Sequence, residues 1–111
     1  LGSLEYSCKV AGSKVIVVLG HTKCGAVTAA CKHVELGNIT HLLSKIKPAV
    51  EEVMEGEADE ETIEKVALKN IELSIERIRS ESPILAEMES NGEIAIVGAV
   101  YDVASGVVCF V

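Results

Sequence analysis

The side chains with the clearest chemical potential are His21 and Cys24, with two residues between them, directly after the apolar run Val15-Ile16-Val17-Val18-Leu19-Gly20. Imidazole and thiolate are donors that zinc favours, and a turn leaving a strand can hold both toward one point. The competing reading is a turn histidine beside a buried thiol. Two donors are only half of a zinc site, so the other ligands must be sought. Cys31 lies on nearly the same helix face as Cys24, but about 10 Å along the axis at about 1.5 Å rise per residue. Zinc–sulfur bonds are about 2.3 Å, so a regular helix keeps the two thiolates off one ion. His33 and His41 read as surface histidines, Cys109 as part of a terminal edge strand, and Cys8 as a small apolar filler.

The elements that must position the pair follow an alternating β/α order. Leu4 to Ala11 reads as a helix end with Leu4, Cys8 and Ala11 on one face and Gly12 as its terminator. Val15 to Leu19 is a continuous β-branched run, the pattern of a parallel strand covered on both faces. A helix is expected from about Gly25 to Leu36, stopped by Gly37-Asn38, with Thr40 capping the next one. That next helix carries Leu42, Leu43 and Ile46 as its apolar stripe until Pro48 forces a kink or restart. The acidic stretch Glu51 to Glu61 reads as a frayed helix end and a solvated loop.

Ile63, Val66, Ala67, Ile71, Ile75 and Ile78 recur at three- and four-residue intervals, which predicts an amphipathic helix over 60–79. Ser82-Pro83 is a cap followed by proline at the first helical position, so Ile84 to Ser90 should form a short helix ended by Asn91-Gly92. Ile94 to Val100 reads as a second buried strand, and Ala104-Ser105-Gly106 turns it into an edge strand, Val107 to Val111. A helical crossover between two apolar strands indicates a parallel α/β sheet. A core with one parallel pair is thin for this much helix, which implies further strands outside these residues.

Composition narrows the function. The 111 residues suit one small domain, and 49% hydrophobic content suits a packed core. A net charge of −7, with only 10 scattered basic residues, argues against nucleic acid as a partner. No apolar run approaches the roughly 20 residues that span a bilayer, and no signal-peptide pattern precedes the first strand, so a cytoplasmic location is expected. The 4 irregularly spaced cysteines read as reduced thiols.

Five segments in order carry a family resemblance: Ser3-Leu4-Glu5-Tyr6, Gly20-His21-Thr22-Lys23-Cys24-Gly25-Ala26-Val27, Val34-Glu35-Leu36-Gly37-Asn38-Ile39-Thr40, Lys45-Ile46-Lys47-Pro48-Ala49-Val50, and Val97-Gly98-Ala99-Val100-Tyr101-Asp102 with Gly106. Together they resemble β-class carbonic anhydrase over essentially the whole chain. The resemblance is to the C-terminal part of that family. Its Cys-x-Asp-Ser-Arg motif, which supplies a zinc cysteine and an Asp-Arg pair, does not occur in these residues. Residues 1–111 are therefore expected to form a partial β-carbonic-anhydrase domain, a parallel-sheet three-layer α/β fold truncated on its N-terminal side.

The resemblance implies Zn2+ as cofactor, His21 and Cys24 as metal ligands, and reversible hydration of carbon dioxide to bicarbonate and a proton. It matches Gly25 to a glycine whose N–H donates to bicarbonate, although close strand–helix approach would also favour glycine there. It matches Tyr6 to an aromatic residue lining the pocket from a partner subunit, against ordinary helix packing. Tyr101 resembles a tyrosine of a noncatalytic bicarbonate site whose tryptophan and arginine partners are not matched, so packing at the strand end is preferred. In carbonic anhydrases with three histidine ligands, zinc lowers the pKa of bound water to about 7. Two thiolate ligands should make such water less acidic, which gives the family's Asp-Arg pair its importance; that pair, and with it any catalytic residue, cannot be named here. The family implies a homodimer or higher homo-oligomer. The chain alone is expected to be inactive, and a non-catalytic carbonic-anhydrase-like binding or structural module is the alternative. A nucleotide-binding domain is disfavoured, because no glycine-rich phosphate motif follows Leu19.

Overall fold

A computed structural model describes residues 1–111, organised as a three-stranded sheet with helices packed on one face and a helical lobe at one end. The chain begins with α1 (Gly2–Glu5), which widens into a π-helical turn at Tyr6–Val10. Gly12 ends this unit with φ +85°, a conformation that costs glycine little. Leu4 is half-buried and Cys8 buried, but Ala11 is exposed, contrary to the expected face. The extra residue in the π turn shifts the later positions round the axis.

Strand β1 (Val15–His21) runs parallel to β2 (Ala95–Tyr101), from Val15 opposite Ala95 to His21 opposite Tyr101. Strand β3 (Val108–Phe110) pairs antiparallel with β2, giving the order β1-β2-β3. The mixed sheet and its crossover match the expected α/β class. The expected two-sided burial of β1 does not hold: Val15, Val17 and Leu19 are 53%, 46% and 55% exposed. Alternate residues of a strand face opposite ways, and only the face bearing Ile16, Val18 and Gly20 has helices over it.

Five helices make the crossover: α2 (Gly25–Cys31), α3 (Gly37–Ser44), α4 (Lys47–Val53), α5 (Glu60–Glu81) and α6 (Pro83–Ser90). Helix α2 stops at Cys31 rather than Leu36, and His33 follows it in the left-handed region at φ +56°. Gly37 starts α3 instead of ending α2, and Thr40 lies inside that helix, where its Oγ1 accepts from the Leu36 N–H at 2.7 Å. Leu43 and Ile46 are buried as expected, but Leu42 is 57% exposed. Pro48 acts as a restart near the beginning of α4.

Helix α5 is the main support. Asp59 caps it by accepting from the Thr62 N–H at 2.8 Å. Its apolar stripe splits between two cores. Val66 joins Val27, Cys31, Leu43 and Val50 in the helical lobe, while Ile78 joins Cys8, Ile16, Leu85 and Ile96 beside the sheet. Between them Ile71 lies directly on the strands. A Cβ built on Gly20 or on Gly98 would come within 2.7 Å of its side chain. Two glycines therefore let α5 approach the sheet more closely than any larger residue permits. At the far end Ser82 caps α6 by accepting from the Leu85 N–H at 3.2 Å and donates to Glu5 at 2.6 Å, tying the N-terminal helix to α6.

Candidate metal centre

Strand β1 delivers His21 to the carboxyl end of the parallel pair, where open α/β sheets commonly bind ligands. Thr22 and Lys23 make the turn, and Lys23 adopts φ +54°, an uncommon conformation for a residue with a Cβ. Cys24 is extended and serves as the N-cap of α2, whose first turn begins with the Thr28 N–H bonding the Cys24 carbonyl at 3.0 Å. The Thr28 hydroxyl donates to the same carbonyl at 2.8 Å. This turn places His21 and Cys24 on the wall of one cleft of about 180 Å³, with Val27, Glu64 and Leu68 opposite or beside them. His21 is exposed and Cys24 half-buried, so both are accessible from the cleft.

The imidazole is oriented. Its Nδ1 lies 2.8 Å from the Thr22 carbonyl oxygen, which can only accept, so Nδ1 carries the proton. In the neutral ring this leaves the Nε2 lone pair free, the arrangement found in metal-bound histidines. The donor types and tautomer therefore fit half of a zinc site. They do not fill one: no group of three or more His, Cys, Asp or Glu side chains stands close enough to hold a metal. Cys31 is buried, and desolvation pushes its thiol above the ordinary value. His33 and His41 are exposed on the helical lobe, Cys8 lies in the sheet-side core, and Cys109 is exposed on β3.

Gly25 opens α2 at the mouth of this turn, and no intrahelical acceptor exists for its N–H. A Cβ there would meet nothing within 4 Å, so packing inside this chain does not require glycine. Tyr6 is 63% exposed and stands on the π turn, away from the cleft lining. It is not packed within the chain, and these residues do not bring it to His21. Tyr101 lies opposite His21 across the parallel pair and is partly exposed.

The loop joining β2 to β3 supplies partners that sequence reasoning missed. Thr22 donates its backbone N–H to the Tyr101 carbonyl at 3.0 Å, and its Oγ1 accepts from the Val103 N–H at 3.1 Å. Asp102 accepts from the Ala104 N–H and from the Ser105 hydroxyl, both at 3.0 Å. The Ala104 N–H, followed by the Ser105 hydroxyl, holds the Asp102 carboxyl below the ordinary carboxylate range. An aspartate two and three residues before Ala104-Ser105, ahead of Gly106, is a recognisable side-chain-to-backbone turn signal. Its contact with Thr22 spans the whole crossover and leaves no local trace in the sequence.

A family model described as carbonic anhydrase matches residues 1–108. Carbonic anhydrase 2 of Mycobacterium tuberculosis strain H37Rv is 28% identical over 109 residues, covering 96% of this chain and 53% of that protein. The carbonic anhydrase of Mycolicibacterium smegmatis is 27% identical over 111 residues, again covering 53% of its length. The crystal structure of the β-carbonic anhydrase CafA of Aspergillus fumigatus superposes with a TM-score of 0.85 at 26% identity, over 99% of this chain and 54% of that one. The Coccomyxa β-carbonic anhydrase, solved with acetazolamide, gives 0.79 at 23% identity and 52% of its chain. The chain spans about half the length of the curated relatives it matches.

Proposed function

The chain belongs to the carbonic anhydrase family and has the β-carbonic-anhydrase fold, and we propose that it contributes His21 and Cys24 to a zinc centre that converts carbon dioxide and water to bicarbonate and a proton. The observation that carries this reading is the shared cleft at the end of β1, where the Nδ1–H of His21 is engaged by Thr22 and Nε2 is free. A bound zinc would supply Lewis acidity, the chemistry that makes hydroxide available near neutral pH as the nucleophile toward carbon dioxide. His21 and Cys24 would hold it through Nε2 and Sγ.

No third donor here stands with the pair, so any remaining donors are supplied from elsewhere or are absent. Gly25 is assigned the role of an N–H donor to a bicarbonate oxygen, supported by its unfilled surroundings and by the family resemblance. Tyr6 is assigned to the pocket of a partner subunit, supported by its exposure and its separation from the cleft of its own chain. The same reading includes a homo-oligomer and a cytoplasmic location. The uncovered apolar side chains of β1 and β3 support assembly, and no helix is long and apolar enough to cross a membrane.

Metal analysis and stopped-flow carbon dioxide hydration test the reading together. The 111-residue chain should bind zinc weakly and below one equivalent, with negligible hydration activity. A protein that also carries the missing donors should bind one zinc per chain and lose both metal and activity in Cys24→Ala. Retention of tight zinc by Cys24→Ala would overturn the assignment. Zinc-free, inactive protein even with those donors present would establish instead the non-catalytic module, which the incomplete donor set of this chain favours as the second reading.

A further inference from the structure

We propose that Thr22 and Asp102 are positioning residues for His21, forming a brace between the end of β1 and the β2–β3 loop that keeps the imidazole in its Nδ1–H form with Nε2 free. The inference rests on His21 being a metal ligand for its functional meaning, but not for its geometry.

The carbonyl that orients His21 belongs to Thr22, so the ring is only as fixed as the backbone at Thr22. That residue is held on two sides. Its N–H continues the parallel ladder to the Tyr101 carbonyl at 3.0 Å, and its Oγ1 accepts from the Val103 N–H at 3.1 Å. The hydroxyl proton points to Asp102 Oδ1 at 3.4 Å, the longest and weakest of these bonds. Asp102 acts mainly by shaping the loop that presents Val103. Besides gathering Ala104 and Ser105 on its carboxylate, it donates its N–H to the Val107 carbonyl and accepts from the Gly106 N–H, both at 2.8 Å. Immediately after Thr22 the chain turns through the left-handed Lys23. Without the side-chain anchor, the Thr22 carbonyl would be restrained by the ladder bond alone. Partners of this kind, one step removed from a metal, typically alter affinity by about 10- to 100-fold.

The tautomer can be read without metal and without activity. Long-range 1H–15N correlation spectra of the metal-free 111-residue chain should show His21 protonated at Nδ1. Thr22→Val removes the hydroxyl at nearly constant volume and should lower the Nδ1–H to Nε2–H ratio about fivefold, the equivalent of one ordinary hydrogen bond. Thr22→Ser should restore it. Asp102→Ala should shift it in the same direction and expose the Val103 amide to faster hydrogen exchange. A wild-type ring protonated at Nε2, measured with no substitution at all, would overturn the proposal; so would an unchanged ratio in folded Thr22→Val and Asp102→Ala proteins. Zinc titration of the same variants separates the two readings. If the tautomer shifts as expected and His21→Ala removes what zinc binding the chain has, Thr22→Val should weaken that binding about tenfold. If the tautomer shifts but His21→Ala binds zinc like the wild type, the brace stands and the metal assignment fails.

Discussion

Strands β1 and β2 are each seven residues long, apolar, and paired in register from end to end, yet they occupy different surroundings. β2 has a strand on either side, and Ile96, Gly98 and Ala99 are buried along it. β1 has a neighbour on one side only. Its Ile16 face packs under the helices, while Val15, Val17 and Leu19 remain open. The strand that carries the candidate ligand is thus the less supported of the pair, and its end is held by the turn and by the loop after β2 rather than by a second neighbouring strand. The comparison teaches that an apolar run records a capacity for burial; strand order decides how much of it is used.

Paired substitutions put that contrast on a stability scale. Ile96→Ala on β2 empties a site packed against Ile16, Ile78 and Leu85 and should cost about 2–5 kcal/mol in denaturant unfolding. Val17→Thr on the open face of β1 should change the same measurement by less than about 0.5 kcal/mol in the monomeric chain. A large loss for Val17→Thr at concentrations where the chain is monomeric would mean that this face is covered within the chain itself, and would erase the distinction.

Glycine substitutions sharpen it at the next level. A Cβ on Gly98 meets Ile71, Ile75 and Val111 together, so Gly98→Ala should destabilise by about 1–3 kcal/mol through overpacking. At Gly25 the added methyl meets open space. Gly25→Ala should therefore leave the stability of this chain within about 1 kcal/mol of wild type, gaining slightly from helix propensity. If Gly25 serves an anion as assigned, the defect should be in bicarbonate binding by the zinc-loaded protein and absent from the unfolding curve.

Acid titration gives a smaller loss than the core and glycine substitutions of β2, and it also belongs to the β2 side. Glu89 of α6 accepts two bonds from Arg79, both 2.8 Å. The Arg79 hydrogen bonds, followed by the Arg79 charge and the Ile96 N–H, hold the Glu89 carboxyl below its ordinary value. A carboxyl with a lower pKa folded than unfolded stabilises the fold above its unfolded value, about 4.3, and loses that contribution as the pH falls through the folded value. For a partly exposed pair the contribution is at most about 1 kcal/mol. Arg79→Met should flatten the dependence of stability on pH below about 4.3, as read by unfolding at a series of pH values; an unaltered slope would remove the pair from the account.

Features decided by neighbouring residues in the chain were legible in the sequence. Ser82-Pro83 starts α6, Asn91-Gly92 ends it, and the apolar spacing of Ile63 to Ile78 foretells α5. So was the placement of His21 and Cys24 on one cleft, because a four-residue segment leaving a strand has few ways to fold. Features decided by distant contacts were not. The open face of β1 depends on which strands flank it. The early end of α2 at Cys31 depends on how the His33 turn seats α3 beside it. Thr40 has the right side chain for a cap but uses it from inside α3. The Thr22–Asp102 contact joins residues separated by 80 positions, which periodicity cannot report.

Ile71 rests on both Gly20 and Gly98, and Gly20 is the residue immediately before His21. The seating depth of α5 and the height of the imidazole above the cleft floor are therefore one dimension of the molecule. A bulkier side chain at position 71 would act as a shim under the histidine, and a smaller one would give it play. The alignment of a candidate ligand inherits the tolerance of a hydrocarbon contact on the opposite side of its own strand.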